Sequence, residues 1–335
     1  MTKKTVGCLN ASASAALVFA LLAVPALLSS CGYNSSGSGD TDTDSDVDSD
    51  TDTDADTDAD TDTESDTGTD SVTDSETETL DCPMGAWSGD LEIDSQSEMD
   101  AFVGYTEVTG DLRITGQYEA IWITGIGCLE NVGGDFILGG HEENTLAPLK
   151  NLKAVGGIFD LGAPGDDPDL TGLEDLESLG GLHLVASSNL VTLDGLEDLT
   201  SLTMGLSLYS MPELVSLEGL ANVETLGDVF IEDNSLYPWI DGNEVLENLD
   251  GLNGVTAITG TSFVLRGNPV LEDLGGLFNV EEFAPAGLMI FYNDALPTCE
   301  AIALRDHLQG TGWDGDVCIH SNLTDLCDDD ESGCP

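Results

Sequence analysis

The sequence predicts a mainly β protein: a solenoid of about ten stacked coils, with a short C-terminal helix and a cysteine-rich cap, preceded by an acidic tether. An apolar pattern with leucine at every third position from Leu190 to Leu202 recurs 24 residues later, from Leu214 to Leu226. A short segment of the form x-x-apolar-x-apolar also recurs ten times between Gly89 and Ile319; glycine opens seven of the copies, and all ten are called the glycine-led segments. One repeat is too short to bury its own apolar edge, so stacking of neighbouring repeats is expected.

The ten glycine-led segments are predicted strands, because their two apolar side chains alternate with neighbours that point to the other face. Their spacing is 21 to 25 residues, except for one interval of 34 and one of 29. An insertion around Tyr237 to Glu244 explains the first exception, and a short amphipathic helix over Pro297 to Leu308 explains the second. The segments begin at Gly89, Gly110, Gly134, Gly157, Gly180, Met204, Gly227, Thr261, Ala286 and Gly315.

Between the strands the chain follows an L-x-x-L-x-x-L path. A spacing of three favours irregular turns or 3-10 pieces over long helices. Asparagines follow several strands, at the point where the chain must turn. We expect their amides to hydrogen-bond turn backbone inside the stack. They are Asn189, Asn234, Asn268 and Asn293.

The first 31 residues have the features of an export signal. Lys3 and Lys4 precede an apolar run from Ala15 to Leu28, and small residues lead to Cys31. The Leu-Ser-Ser-Cys ending resembles the lipobox of bacterial lipoproteins. That resemblance implies cleavage before Cys31 and lipid on its sulfur and new amino terminus, hence a membrane anchor. An ordinary secretory signal with a chance cysteine, or an uncleaved anchor, remains the alternative.

The predicted organisation is a signal peptide over 1–30, a lipidated cysteine and linker over 31–81, the repeat region over 82–320 and a cysteine-rich tail over 321–335. The residue after Cys31 is Gly32, not the aspartate that retains some lipoproteins at the inner membrane. Together with the long linker, this predicts attachment to the outer membrane with display at the cell surface.

Composition gives the linker and the whole chain a strongly acidic character. Residues 40–81 alternate Asp or Glu with Thr, Ser and Ala and hold 19 acidic residues and no basic one, which predicts an extended, disordered tether. The formal net charge of the chain is −58, which disfavours nucleic acid as a partner. No cofactor is expected. Calcium could associate loosely, but the glycine and distal glutamate of an EF-hand-like loop are not in place.

The repeat pattern of strand, turn, L-x-x-L-x-x-L and then V-G-G or L-G-G resembles the receptor L domain over roughly residues 82–320. The resemblance implies a leucine-rich, right-handed β-helix that serves as a non-catalytic binding scaffold. An ordinary leucine-rich repeat is the alternative. In the family a cysteine precedes the second strand by five residues, but Tyr105 holds that place here. Cys128 lies about one coil later, so the resemblance implies Cys82–Cys128 as the substitute disulfide.

Six cysteines remain in the exported chain after Cys8 and Cys31 are set aside, and six allow 15 pairings. For the last four we favour Cys299–Cys318 and Cys327–Cys334, with Cys299–Cys327 as the main competitor. A zinc site at Cys318, His320 and Cys327 is a weaker alternative, because export permits disulfides.

The predicted working surface is the outward side of the strands in the C-terminal half. Its apolar and aromatic content suits a protein or glycan partner; the alternative is that the insertion at Tyr237 to Glu244 covers it. A passive envelope protein with calcium-dependent association is the second interpretation, and a carbohydrate-active enzyme the third. Enzymatic activity is not expected, because the four histidines are scattered and no hydrolase or phosphate-loop motif is present. The candidate binding residues are His183, Tyr209, Phe230, Val264, Arg266, Met289 and Phe291.

Overall fold

The structure is a computed structural model of the full chain. It describes residues 82–116, 121–141, 145–162, 169–185, 189–232, 243–329 and 334. The predicted signal peptide, Cys31 and the acidic tether lie outside the described residues. So do Asn234 and most of the predicted insertion, residues 237–242.

The described residues form one large parallel sheet of 15 strands and two α-helices. Strands from successive repeats are neighbours in the sheet, as stacked repeats require: β1 pairs with β3 and β2 with β4, and from β7 to β10 each strand pairs with the next. The strands are β1 Gly85–Trp87, β2 Leu91–Ile93, β3 Tyr105–Val108, β4 Leu112–Ile114, β5 Asn131–Val132, β6 Phe136–Leu138, β7 Ala154–Gly162, β8 Ser178–Val185, β9 Ser201–Tyr209, β10 Thr225–Glu232, β11 Ala257–Ile258, β12 Phe263–Arg266, β13 Glu282–Phe283, β14 Gly287–Phe291 and β15 Asp316–His320. The helices are α1 Gln96–Phe102 and α2 Thr298–Gly310.

All ten glycine-led segments contribute strands, and they pair in one continuous register. The last apolar position of each segment forms a file across the sheet, and every member of this file is 0% exposed. The buried file therefore supplies one wall of a core that no single repeat could form. It consists of Ile93, Ile114, Leu138, Leu161, Leu184, Leu208, Ile231, Leu265, Ile290 and Ile319.

The L-x-x-L path forms short 3-10 turns rather than long helices, as predicted: Ile123–Ile126, Ala147–Leu149, Glu218–Leu220, Asp250–Leu252 and Gly275–Leu277. A glycine recurs in three of these turns because the preceding repeat lies too close for a side chain. A Cβ atom at Gly219 would lie 1.9 Å from the carbonyl oxygen of Leu193, and one at Gly251 would lie 1.9 Å from that of Leu217. Gly276 has the same relation to Leu249.

An asparagine ladder runs through the C-terminal repeats, where the chain turns after a strand. Asn268 and Asn293, both expected inside the stack, are buried there with Asn243 and Asn322. The Asn243 amide donates to Oδ1 of Asn268 at 2.7 Å, and the Asn268 amide donates to Asn293 Oδ1 at 3.1 Å. Asn189 is exposed instead, so its predicted interior position is wrong.

A second polar ladder holds the amino ends of several strands together. Asp90 Oδ1 accepts from the backbone N–H of Asp111 at 3.0 Å, and Asp111 Oδ1 accepts from that of Asp135 at 2.9 Å. Asp135 continues the series by accepting from Ile158 at 2.8 Å. The aspartate that follows the first glycine of each of these segments therefore accepts a hydrogen bond from a backbone N–H at the start of the equivalent strand in the next repeat.

Three disulfides stabilise the two ends of the described region. Cys82 is bonded to Cys128, the pairing that the family resemblance implies. At the other end Cys299 is bonded to Cys327, and Cys318 to Cys334. The favoured pairings Cys299–Cys318 and Cys327–Cys334 are therefore wrong, and the competitor Cys299–Cys327 is present.

The direction of Cys318 and the position of the segment after β15 explain why the C-terminal cysteines pair as Cys299–Cys327 and Cys318–Cys334. Cys318 is in register with Met289 on the outward side of β15, so its sulfur is turned away from the core. The segment after β15 pairs with the start of α2, where the N–H of Thr298 donates to the carbonyl of Leu323 at 3.2 Å. The Cys299 N–H also donates to the Asp325 carboxylate at 2.8 Å, which brings Cys327 to Cys299.

The C-terminal helix lies where the sequence predicts it. Its start is one residue later than expected, and it ends at Gly310 rather than Leu308. The sequence analysis missed α1, although a capping-box spacing of Ser95 and Glu98 marks its start. Glu98 accepts hydrogen bonds from the backbone N–H of Asp94 and from the Ser95 hydroxyl, both at 3.0 Å.

Candidate functional site

Two files of outward side chains cross the sheet parallel to the buried file. All seven candidate binding residues lie in these files, so the alternation that was used to select them matches the strand register. The first file is Glu92, Arg113, Ile137, Asp160, His183, Ser207, Phe230, Val264, Met289 and Cys318. The second file is Gly162, Val185, Tyr209, Glu232, Arg266, Phe291 and His320.

We call the part of these two files from Asp160 to His320 the outward strip. Its candidate binding residues are half-buried rather than fully exposed. Neighbouring strands of a sheet lie about 4.8 Å apart, so side chains on successive strands touch across the strip. The strip is therefore a continuous surface of packed side chains and not a row of independent ones.

Its first half is a chain of polar and aromatic contacts. The His183 Nδ1 atom lies 3.1 Å from a carboxylate oxygen of Asp160 on the preceding strand. The His183 ring meets the Tyr209 ring edge to face, with centroids 5.5 Å apart, and Tyr209 stacks on Phe230 at 6.4 Å. Each of these rings is held by a neighbour on the next strand, which fixes its orientation.

Burial changes the acid–base behaviour of Tyr209. Removal of the ring from water raises the pKa of its phenol, and the negative charge of Glu232, to which the phenol is hydrogen-bonded, raises it further. Tyr209 therefore remains a neutral hydrogen-bonding group throughout the physiological pH range.

The second half of the strip is built around Phe291. The Arg266 guanidinium carbon lies 5.7 Å from the centre of the Phe291 ring, a cation–π arrangement. On the other side Phe291 stacks on His320, with centroids 5.1 Å apart and ring planes only 10° from parallel. Tyr292 meets the His320 ring edge to face at 5.4 Å and is 52% exposed.

Tyr292 is the part of this surface that the sequence analysis missed. A residue directly after a strand would normally point into the stack at the following turn. Tyr292 instead has a φ of 59°, and Ser210 and Ser321 have φ values of 55° at the equivalent places. Gly267 has a φ of 68° at the same position of its repeat, and this glycine is the sequence signal for the bend.

Asp160, His183 and Ser207 lie in register on three adjacent strands, which invites comparison with a hydrolytic triad. Ser207 is instead hydrogen-bonded to the Tyr209 phenol. The strands that carry the three residues are interior members of the sheet, so their backbone N–H groups are used in strand pairing. These paired N–H groups of the three described strands are therefore not available to stabilise an oxyanion in acyl transfer.

Two clusters of cysteine with a histidine or aspartate lie near the C-terminal end: Cys318 with His320 and Cys334, and Cys299 with Asp325 and Cys327. In both clusters the two cysteines are bonded to each other, so their sulfurs are not thiolates. The alternative zinc site at Cys318, His320 and Cys327 also divides between the two clusters. These clusters are therefore disulfide sites, because zinc takes cysteine as thiolate.

The remaining basic side chains are distributed apart from the strip. Arg113 lies in the first outward file but three strands before His183, beside Glu92 and Ile137. Lys153 is exposed and pairs with Glu130 at 2.9 Å, which raises the pKa of the lysine. Among the residues of the outward strip, Arg266 is thus the one lysine or arginine.

Comparison with known proteins gives no relative from which a role could be taken. No protein-family model matches the chain, and no curated protein matches it either. Within the described residues, neither helix combines the length and the apolar run that crossing a bilayer requires.

Proposed function

We propose that this chain is an exported, lipid-anchored protein of the bacterial outer membrane, which displays a receptor L domain-like, right-handed β-solenoid of about ten coils at the cell surface. Its role is recognition or adhesion without catalysis, through binding of a protein or glycan to the outward strip. The lipobox-like ending at Cys31 supports the anchor, and the acidic linker supports display at a distance from the membrane.

The observation that carries the proposed role is the composition and order of the outward strip. Tyrosine, phenylalanine and arginine are enriched at the centres of binding surfaces, because they bury a large area with few rotatable bonds. Here aromatic rings and Arg266 occupy successive strands, and each is held by a ring, a carboxylate or a cation on the neighbouring strand. A contiguous aromatic patch of this kind on an otherwise strongly acidic chain is a feature that often marks a partner site.

A double substitution tests the role. Phe230→Ser with Phe291→Ser removes two rings of the strip, and saturable binding of the mature protein to the envelope material of its own cells is expected to be lost. Ile137→Ser is the matched control, because Ile137 is a half-buried member of the same outward file in the N-terminal half. Unchanged binding of the double variant, with an unfolding curve like that of the control, would reject the role of the strip.

Two further measurements test the anchor and the display. Metabolic labelling with a radioactive fatty acid is expected to mark the protein and to fail in the Cys31→Ser variant. Protease treatment of intact cells is expected to remove the repeat region. Calcium-driven self-association without any saturable ligand would favour the passive structural interpretation instead.

A further inference from the structure

The dimensions of the outward strip restrict its partner. The part of the strip that carries the rings, from the strand of His183 to the strand of His320, crosses six strands, which is about 24 Å at the usual strand spacing. It is two outward residues wide, or about 7 Å along each strand. A long, narrow surface fits an extended chain better than a globular protein.

An extended peptide does not match the chemistry of this surface. Peptides bind sheets by adding a strand at an edge, where backbone groups are available. Strands β8, β9, β10, β12 and β14 are interior members of the sheet and are paired on both sides. A peptide lying across them would leave its own amide groups without backbone partners from the sheet.

An oligosaccharide presents what the strip can bind. A pyranose ring has an apolar face of C–H groups and carries its hydroxyls at the ring edge. An aromatic side chain is a large apolar group that can contact such a face. The Tyr209 and Phe230 rings stack on each other, and Phe291 lies between Arg266 and His320, so the strip offers a sugar the edges of these rings as apolar contact surface. Beside them are Asp160, Glu232 and Arg266. An ionised carboxylate offers about four lone-pair positions and a guanidinium five N–H donors, so each can take hydroxyl contacts beyond its existing ones.

Charge decides between classes of glycan. The chain carries a formal charge of −58, and Asp160 and Glu232 place negative charge within the strip itself. Polysulfated or polyuronic chains would be repelled from such a surface. A neutral chain does not incur this cost.

On this basis, and assuming that the proposed recognition role is correct, we infer that the outward strip binds a linear neutral glycan that runs perpendicular to the strands. A sugar unit advances such a chain by about 5 Å, comparable with the spacing between strands. Each successive sugar therefore meets the side chains of the next strand. A chain parallel to the strands would meet only two outward residues before leaving the strip.

Chain length provides the test. The mature protein is titrated calorimetrically with β-1,4-linked gluco-, xylo-, manno- and N-acetylglucosamine oligomers of two to eight units, with a polyuronate oligomer as the charged comparison. For at least one neutral series the affinity is expected to rise with each added unit to about five, the number that 24 Å accommodates, and then to level off. The polyuronate is expected not to bind. An affinity independent of length, preferential binding of the polyuronate, or no binding by any neutral series at millimolar concentration would overturn the inference.

Substitutions locate the binding. Phe230→Ala and Phe291→Ala are each expected to weaken the best oligomer at least tenfold, and Ile137→Ala to leave its affinity unchanged. Equal weakening by all three would place the glycan elsewhere and also contradict the inference. If no glycan binds, but saturable binding to envelope protein is lost in the Phe230→Ser, Phe291→Ser variant, then the glycan assignment fails while the recognition role stands. If that binding is also unchanged, both fail.

Discussion

The asparagine ladder gives the sharpest prediction about stability, and Asn268 is its central member. Its side-chain N–H groups donate to the carbonyl of Ile231 at 2.9 Å and to Oδ1 of Asn293 at 3.1 Å. Its own Oδ1 accepts from the Asn243 amide at 2.7 Å. The residue is 0% exposed, so water cannot replace these partners.

The substitution Asn268→Ala leaves the Ile231 carbonyl and the Asn243 amide without these bonds. A buried polar group that loses its partner costs about 1–3 kcal/mol, so the two together predict a loss of about 4 kcal/mol in the free energy of unfolding. Asn268→Asp is expected to cost more, because it places a carboxylate oxygen where the amide nitrogen donated to the Ile231 carbonyl and to Asn293 Oδ1, both of which are acceptors, and it adds a buried charge.

Urea unfolding with the disulfides oxidised, followed by circular dichroism, measures these differences. Asn222→Ala is the matched control, because Asn222 is exposed and donates a single bond to the carbonyl of Glu197. It is expected to cost about 1 kcal/mol or less. If Asn268→Ala destabilises the protein no more than Asn222→Ala does, the buried amides are not a structural ladder.

Three other changes follow from the same geometry. Gly251→Ala places a methyl group against the Leu217 carbonyl and is expected to lower the free energy of unfolding in urea by about 3 kcal/mol. Gly139→Ala, with nothing within 4 Å of the added Cβ, should change it little, and equal effects of the two substitutions would refute close stacking of the turns. Replacing Cys82 and Cys128 by serine opens a loop with a sequence separation of 46 and is expected to cost about 4 kcal/mol in thermal or urea unfolding, and an unchanged midpoint would show that this bond does not constrain the chain. Because the pKa of Tyr209 is raised, the phenol of the unfolded chain loses its proton near pH 10 while that of the folded chain keeps it. The contribution of Tyr209 to stability is therefore constant below pH 10 and falls above it, so Tyr209→Phe should remove part of the alkaline loss of stability, and identical alkaline profiles would contradict the burial.

Disulfide mapping by mass spectrometry of the oxidised protein belongs with these tests. Peptides that join Cys299 to Cys327 and Cys318 to Cys334 are expected. A bond between Cys299 and Cys318 would contradict the position of the tail on the outward side of β15.

Periodicity predicts the strands well because it is a property of many residues at once. A buried file across ten repeats needs an apolar residue at the same place in every copy, and exchanging one copy leaves the pattern visible. The outward files followed from the same register, since side chains alternate along a strand. For this reason Phe230 and Phe291 could be placed on one face from the sequence alone.

The features that the sequence did not predict depend on single residues. Asn243 lies three residues before Leu246, as Asn268 does before Leu271, and both asparagines are buried in the ladder. The repeat of Asn243 follows the longest interval between strands, so this asparagine could not be assigned to the series from its distance to the preceding strand. The cysteine pairing at the C-terminal end depends on how the last segment meets the start of α2. No periodicity constrains that contact, because the segment occurs once.

Distances between successive repeats test most directly the claim that the chain stacks its repeats in sequence order. Six exposed residues occupy the same place in six successive repeats: Lys153, Glu177, Thr200, Glu224, Thr256 and Glu281. A backbone hydrogen bond joins each to the one before it, except for the pair Glu177 and Thr200, which directly precede the paired strands β8 and β9. Spin labels placed on Lys153 together with each later position, through introduced groups other than cysteine, are expected to report separations that grow by about 4.8 Å per repeat, to about 24 Å at Glu281. Separations that do not increase in sequence order would contradict the stacked-repeat fold.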